Sequence, residues 1–335
     1  METGQRIGIL TGGGDCPGLN AAIRAATKIA LQSGYEVIGF RDGWKGFLED
    51  NHETLDSIKT SGIIDRGGTI LGTSRFSPLR TENGAQLVLD RYKAMELSGL
   101  IVLGGNGTLS IAGKLHRQGL PVIGIPKTID NDVAGTDYSI GFQTAVQIAT
   151  DALDRLRSTA ESHHRVMLLE VMGRRAGWIA VYAGLASGAD AILIPEIPLT
   201  GQKMDELCQM VKGRKKKGKH FSIIVVAEGT RLVENEGLPG LVGETIGKII
   251  EEKTGLETRF SSLDYIQRGG TPVSYDRNLA TCLGIKAVEL VREGKYGEMA
   301  VLRRNSITST PLEKMVDKEK TVTLNVYRMA AMFFS

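Results

Sequence analysis

Three short segments carry residue types able to bind and transfer a phosphoryl group. Thr11-Gly12-Gly13-Gly14-Asp15-Cys16-Pro17-Gly18 follows an apolar run at 7–10 and precedes a helical pattern. Glycines between a strand and a helix N-terminus let backbone N–H groups converge on an anion. The loop is neither a Walker loop nor GxGxxG, and a tight strand-to-helix turn without a ligand would use the same residues. Gly104-Gly105-Asn106-Gly107-Thr108 repeats the arrangement after the run at 100–103. A third run, 122–125, ends in Pro126-Lys127-Thr128-Ile129-Asp130-Asn131-Asp132. Asp130 and Asp132 alternate, so one carboxylate can face a divalent cation while the other faces an acceptor hydroxyl. A plain turn stabilised by two aspartates is the alternative for that segment taken alone.

The elements that must position these loops follow from periodicity. Runs at 7–10, 37–40, 100–103 and 122–125 are apolar on both faces, as buried parallel strands are. A second set lies at 166–171, 191–194 and 222–227. Amphipathic stretches at 21–31, 86–95, 143–156, 204–211 and 279–291 have helical length and spacing. The alternation predicts α/β architecture with parallel sheets. In such a sheet ligands bind outside the carboxyl ends of the strands, where the three loops would meet.

Composition narrows the class. A chain of 335 residues is too long for one ordinary core and suits two lobes. Glycine stands at 42 residues, against ~7% in ordinary proteins, which fits a backbone that must approach a ligand closely at several loops. A net charge of +3 gives no broad attraction to nucleic acid or membrane. Cys16, Cys208 and Cys282 are too few and too far apart for a disulfide framework, and the five histidines lack zinc spacing. No apolar stretch approaches the ~20 residues of a membrane span, and the first residues lack the apolar core of a signal peptide. A reduced, cytoplasmic protein is expected. The run Arg214-Lys215-Lys216-Lys217-Gly218-Lys219 reads as a solvated helix end, with an anion site shared with a neighbouring subunit as the alternative.

The loops GGGDCPGLNAAIR, GGNGT and PKTIDND, together with MGRRAGW at 172–178, ETR at 257–259 and IQRGGTPVSYDR at 266–277, resemble the 6-phosphofructokinase family. The motifs stand in family order over most of the chain. The resemblance implies an α/β fold of two doubly wound Rossmann-like lobes with interleaved chain crossings. Residues 1–141 and 267–317 would form the nucleotide lobe, and 142–266 and 318–335 the fructose 6-phosphate lobe. The implied reaction is Mg²⁺-dependent transfer of the ATP γ-phosphoryl group to the sugar's 1-hydroxyl. The implied assembly is a homotetramer with sites shared between subunits, without a nucleic-acid or membrane partner.

By the same resemblance Asp130 is the catalytic base, Thr128 contacts the acceptor, and Gly14 approaches the transferring phosphate. Arg75 stabilises charge on the donor phosphates, a role that suits a permanent cation. Trp44, Phe76, Arg80, Gly105, Asn106, Gly107 and Thr108 line the nucleotide pocket, and Asn106 and Asp132 serve Mg²⁺. Met172, Gly173, Arg174, Glu228, Tyr265 and Arg268 match the acceptor binders of the same chain. Arg165 and Arg259 match those lent by a neighbour.

The chain departs from the family pattern at several positions. Asn106 replaces a usual aspartate, and Tyr265 a common histidine, preceded by Asp264 instead of glycine. The effector pocket keeps Arg24, Arg157, Lys217 and Lys219 but has Lys28, Ser57, Ile58 and Asp190 where other residues are usual, so ADP should activate poorly. Two other readings stay open. A pyrophosphate-dependent enzyme is favoured by Lys127 and opposed by Gly107, where pyrophosphate users carry an aspartate that would collide with an α-phosphate. A non-catalytic sugar-phosphate sensor or regulatory subunit on the same fold is opposed by Asp130, Asp132 and Arg75 occurring together.

Overall fold

The run that ends in the first glycine loop is β1 (Arg6–Thr11), and its burial on both faces is what a central parallel strand requires. The computed structural model describes residues 5–233, 241–316 and 318–334. The further strands are β2 (Glu36–Phe40), β3 (His52–Leu55), β4 (Leu97–Gly104), β5 (Val122–Pro126), β6 (Val166–Val171) and β7 (Ala191–Leu193). They continue with β8 (Ser222–Ala227), β9 (Thr258–Ser262), β10 (Glu298–Arg303) and β11 (Ser306–Pro311). The helices are α1 (Leu19–Gln32), α2 (Trp44–Glu49), α3 (Gly84–Ala94), α4 (Asn106–His116) and α5 (Phe142–His163). Then come α6 (Trp178–Ala186), α7 (Gly201–Lys216), α8 (Val242–Thr254), α9 (Ser274–Arg292) and α10 (Leu324–Ala331).

The chain divides into one unit of Met1–Thr144 with Arg268–Glu319 and a second of Ala145–Gln267 with Lys320–Ser335. It crosses between units after residues 144, 267 and 319. The first unit holds a seven-stranded sheet in the order β11-β10-β5-β4-β1-β2-β3. Its middle is parallel, while β3 runs antiparallel to β2 and β11 antiparallel to β10. Helices α1 and α9 pack closely on one another. At Gly284 a Cβ would sit 2.7 Å from the Ala22 carbonyl oxygen, so that helix contact requires glycine.

The second unit holds a parallel four-stranded sheet in the order β7-β8-β6-β9. Leu168, Ile224 and Val226 from the sheet pack with Leu207, Val211, Ile246 and Ile250 of α7 and α8. Both sheets are those expected of doubly wound lobes. All seven expected strands occur, with ends shifted by a few residues. Strands β3, β9 and β11 lie at sheet edges, where one side is open and the sequence need not be apolar throughout.

The charge run 214–219 departs from a uniformly solvated helix end. Gly218 does stop α7 with a left-handed φ of +82°. Arg214, however, falls at i+7 from Leu207 and i+3 from Val211, on the buried helix face. Its guanidinium pairs with Asp190 at 2.8 Å, and Nε donates to Ser222 Oγ at 3.0 Å.

Candidate active site

In the first sheet the chain proceeds outward from β1 to β2 on one side and from β4 to β5 on the other. The switch point therefore lies between β1 and β4, whose carboxyl ends open into the two glycine loops. The Gly12 N–H donates to the Leu103 carbonyl at 2.9 Å and joins the loops at their base. Thr108 is wedged between them: a Cβ at Gly12 would stand 2.8 Å from its hydroxyl, and one at Gly104 would collide with its side chain. Gly13 adopts φ +86° and donates to the Ser74 carbonyl at 2.9 Å, while Thr73 Oγ1 donates to the Gly13 carbonyl at 2.7 Å. The segment carrying Arg75 is thereby stitched to the glycine loop, and Arg75 and Arg80 remain exposed. Beside Gly14 the Arg268 guanidinium fills the space a side chain would need.

Lys127 is a finding that spacing did not anticipate. It is buried at the end of β5, and its ammonium donates to the carbonyls of Gly12, at 3.0 Å, and Gly14. Burial lowers its pKa from the usual lysine value, and the nearby Arg268 adds to that effect. The lysine thus ties two carbonyls of the glycine loop to the end of β5. Cys16, in the same loop, donates its thiol to the Ile140 carbonyl at 3.3 Å, and burial pushes its pKa up to about 12. It is a packed structural cysteine.

The turn after β5 depends on Asn131, which takes φ +51° in the left-handed region that asparagine tolerates better than most residues. Its Oδ1 accepts from the Ser139 N–H at 3.0 Å, and the Ser139 hydroxyl donates to the Thr128 carbonyl at 2.7 Å. Thr128 Oγ1 in turn accepts from the Asp130 N–H at 3.2 Å. Asp132 accepts from Asn106 Nδ2 at 2.9 Å, so the helix start of α4 and the acidic turn are brought together. Burial holds the Asp132 carboxyl above the usual carboxylate range, with hydrogen bonds from Asn106 and Thr128 pulling the other way. Gly107, one residue into α4, has nothing within 4 Å of where a side chain would begin.

Of the residues expected around a nucleotide, Trp44 joins the apolar core. It is 1% exposed and meets Phe47 edge-on, with ring centroids 6.1 Å apart. The reason is its place at the start of α2, whose apolar face closes over Phe40 and Leu97. Phe76 is half-buried against the same cluster. Among the described residues no three His, Cys, Asp or Glu side chains converge as a metal site.

In the second unit the expected acceptor residues fall into two groups at opposite ends of one sheet. Met172 and Gly173 follow β6 directly, and Glu228 follows β8. The Gly173 N–H points at Glu228 Oε1, 3.4 Å away, and the Glu228 N–H donates to the Val171 carbonyl at 2.8 Å. Arg174, Glu228 and Tyr265 are exposed. Arg165 and Arg259 stand at the other end, where β6 and β9 begin. Glu257 binds both guanidinium groups, Arg165 at 2.8 Å, and these contacts hold its carboxyl below the usual range. A six-residue strand separates the groups by about 20 Å at ~3.3 Å per residue. Arg268 belongs to the first unit, where its guanidinium lies beside Gly14.

The profile of the family described as Phosphofructokinase matches residues 6–291. The chain belongs to the phosphofructokinase family. It is 50% identical to the ATP-dependent 6-phosphofructokinase of Chloroflexus aggregans, over 92% of this chain and 90% of that protein. It is 45% identical to the pyrophosphate–fructose 6-phosphate 1-phosphotransferase of Streptomyces coelicolor, over 98% and 100%. Among solved structures, phosphofructokinase from Saccharomyces cerevisiae superposes with a TM-score of 0.83 at 32% identity. That match covers 93% of this chain and 45% of the longer yeast chain. This phosphofructokinase keeps the two glycine loops and the acidic turn on one sheet. Its Asp190 is engaged by the buried Arg214. Among the described residues no helix is long and apolar enough to cross a membrane.

Proposed function

We propose that this phosphofructokinase transfers the γ-phosphoryl group of ATP to the 1-hydroxyl of fructose 6-phosphate, giving fructose 1,6-bisphosphate and ADP. The observation that carries the donor choice is the open space at Gly107. It leaves the N–H groups at the start of α4 accessible to an α-phosphate. Asp130 accepts the proton of the 1-hydroxyl as its oxygen attacks the γ-phosphorus and the bond to the β-phosphate oxygen breaks. Thr128 orients the acceptor, while Gly14 and Arg75 receive the charge developing on the transferred group. Met172, Gly173, Arg174, Glu228 and Arg268 read as acceptor contacts.

Mg²⁺ fits the residues present. Asp132 offers a single carboxylate, the sparse protein ligation suited to a cation that arrives with phosphates. Its bond from Asn106 casts the asparagine as the group that aims that carboxylate. When bound, the cation would neutralise phosphate charge.

Arg165 and Arg259 stand about 20 Å along β6 from Met172. They suit the acceptor site of a neighbouring subunit, in keeping with a cytoplasmic homotetramer. Lys127 and the Streptomyces coelicolor relative favour pyrophosphate as a second reading. A coupled assay of fructose 6-phosphate with ATP or pyrophosphate decides between them, with Asp130→Ser as the control. Turnover of neither donor would overturn both readings.

A further inference from the structure

The strand β6 stops pairing with β8 at Val171, where the register ends opposite Ala227. The next N–H, that of Met172, is buried with no further strand partner of its own. A buried backbone donor must find an acceptor. It finds one in a side chain: Gln267 Oε1 accepts it at 2.6 Å, and Gln267 is fully enclosed. The amide's other end, Nε2, points at the Ala145 carbonyl 3.5 Å away.

From this bond we infer that Gln267 is a positioning residue for the acceptor loop, acting through Met172; this rests on the reading of Met172 and Gly173 as acceptor contacts. The residue type follows from the site. An aliphatic side chain would strand the Met172 N–H, and a buried carboxylate would carry charge that the glutamine avoids. The loop needs such a hold. Directly after Met172 the chain turns through Gly173 at φ +137°, a conformation closed to other residue types, and the Gly173 N–H has only a 3.4 Å contact with Glu228. The 2.6 Å bond is therefore the tighter of the two that fix where the loop's backbone leaves the strand. Gln267 itself would touch no substrate.

The test uses purified full-length protein. Gln267→Met keeps length and bulk but removes the strong acceptor. It should raise the fructose 6-phosphate KM about tenfold while the ATP KM and kcat stay within about twofold. Amide hydrogen exchange, read without substrate, should show the Met172 N–H protected in wild type and unprotected in Gln267→Met, even if that variant is partly destabilised.

Equal rises in both KM values would overturn the inference. So would wild-type exchange at Met172 as fast as in an open loop. Wild-type protein that phosphorylates no fructose 6-phosphate would instead sink the functional reading, leaving the exchange measurement to decide whether Gln267 holds the loop.

Discussion

The Lys127 ammonium lies 3.0 Å from the Gly12 carbonyl oxygen, so the third loop of the first unit braces the first from within. A second bond to the Gly14 carbonyl makes the brace two-pointed. Removing it by Lys127→Met leaves two carbonyls without their donor in a buried place. Unfolding free energy should fall by about 3–6 kcal/mol, since each of the two hydrogen bonds to a charged group is worth about 1.5–3 kcal/mol. Turnover should fall with either phosphoryl donor, because the glycine loop serves both. Chemical denaturation and a two-donor assay check this; loss confined to pyrophosphate would mean that Lys127 acts on the donor and not on the loop.

Asn106 and Asp132 give a pH-dependent prediction. Burial raises the Asp132 pKa, so on acidification this carboxylate is protonated before an exposed aspartate would be. Apparent Mg²⁺ affinity should therefore begin to fall at a pH above the usual aspartate range. The bond from Asn106 favours the ionised form, and Asn106→Ala should move that fall to higher pH. Asn106→Asp should tighten Mg²⁺ at neutral pH by adding a second carboxylate. Mg²⁺ titrations of activity across pH read both effects. An acid limb unmoved by Asn106→Ala would show that the amide does not tune Asp132.

Much of this was legible in the sequence because the loops carry their own punctuation. Three apolar runs ending in glycines or aspartates gave the strands and the switch-point crevice without further information. What sequence could not supply was the direction of individual side chains. Trp44 sits beside residues that line a loop, yet the short helix α2 rolls its ring into the core. Lys127 reads as charge near phosphate until its ammonium is seen bound to carbonyls. Arg214 looks like its lysine neighbours, and only the helical phase with Leu207 and Val211 turns it inward to Asp190. Glu257 and Gln267 sit inside recognisable motifs, but their partners are distant in sequence or defined by strand register. The edge strands β3, β9 and β11 have one open side and so lack the unbroken apolar signal.

The separation of Arg165 from Met172 along β6 predicts complementation between subunits. Arg165→Ala should raise the fructose 6-phosphate KM by about tenfold or more, with kcat less affected. Asp130→Ser should abolish turnover in its own subunit by about 10²–10⁴-fold. Mixed after subunit exchange and assayed at fructose 6-phosphate well below the raised KM, the two impaired proteins should show more activity than either alone, because some sites then combine a sound Asp130 with a neighbour's sound Arg165. Verified hybrids with no recovered activity would place both residues in the service of one chain's site. Glu257→Gln offers a milder form of the same test, since it loosens the carboxylate that orients both arginines.

The proposed role of Gly107 in donor choice can be tested by a substitution that should cause little structural disturbance. The space beyond its Cα is open, and an aspartate in the first turn of α4 would interact favourably with the helix dipole, by about 0.3–1 kcal/mol. Gly107→Asp should thus fold at least as well as wild type, and thermal unfolding should confirm it. The carboxylate would stand where an α-phosphate approaches the helix N-terminus. Two like charges ~4 Å apart repel by about 4 kcal/mol at the effective dielectric of a protein surface. The expected loss in kcat/KM for ATP is therefore about 10²–10³-fold. Pyrophosphate has no nucleoside-bearing α-phosphate to collide with, so any residual turnover of that donor should change by less than about tenfold. Parallel loss with both donors would mean that the α4 terminus binds the transferred group itself. Wild-type protein that turns over pyrophosphate faster than ATP at saturation would overturn the donor assignment outright, and Lys127 would then be the residue that marks it.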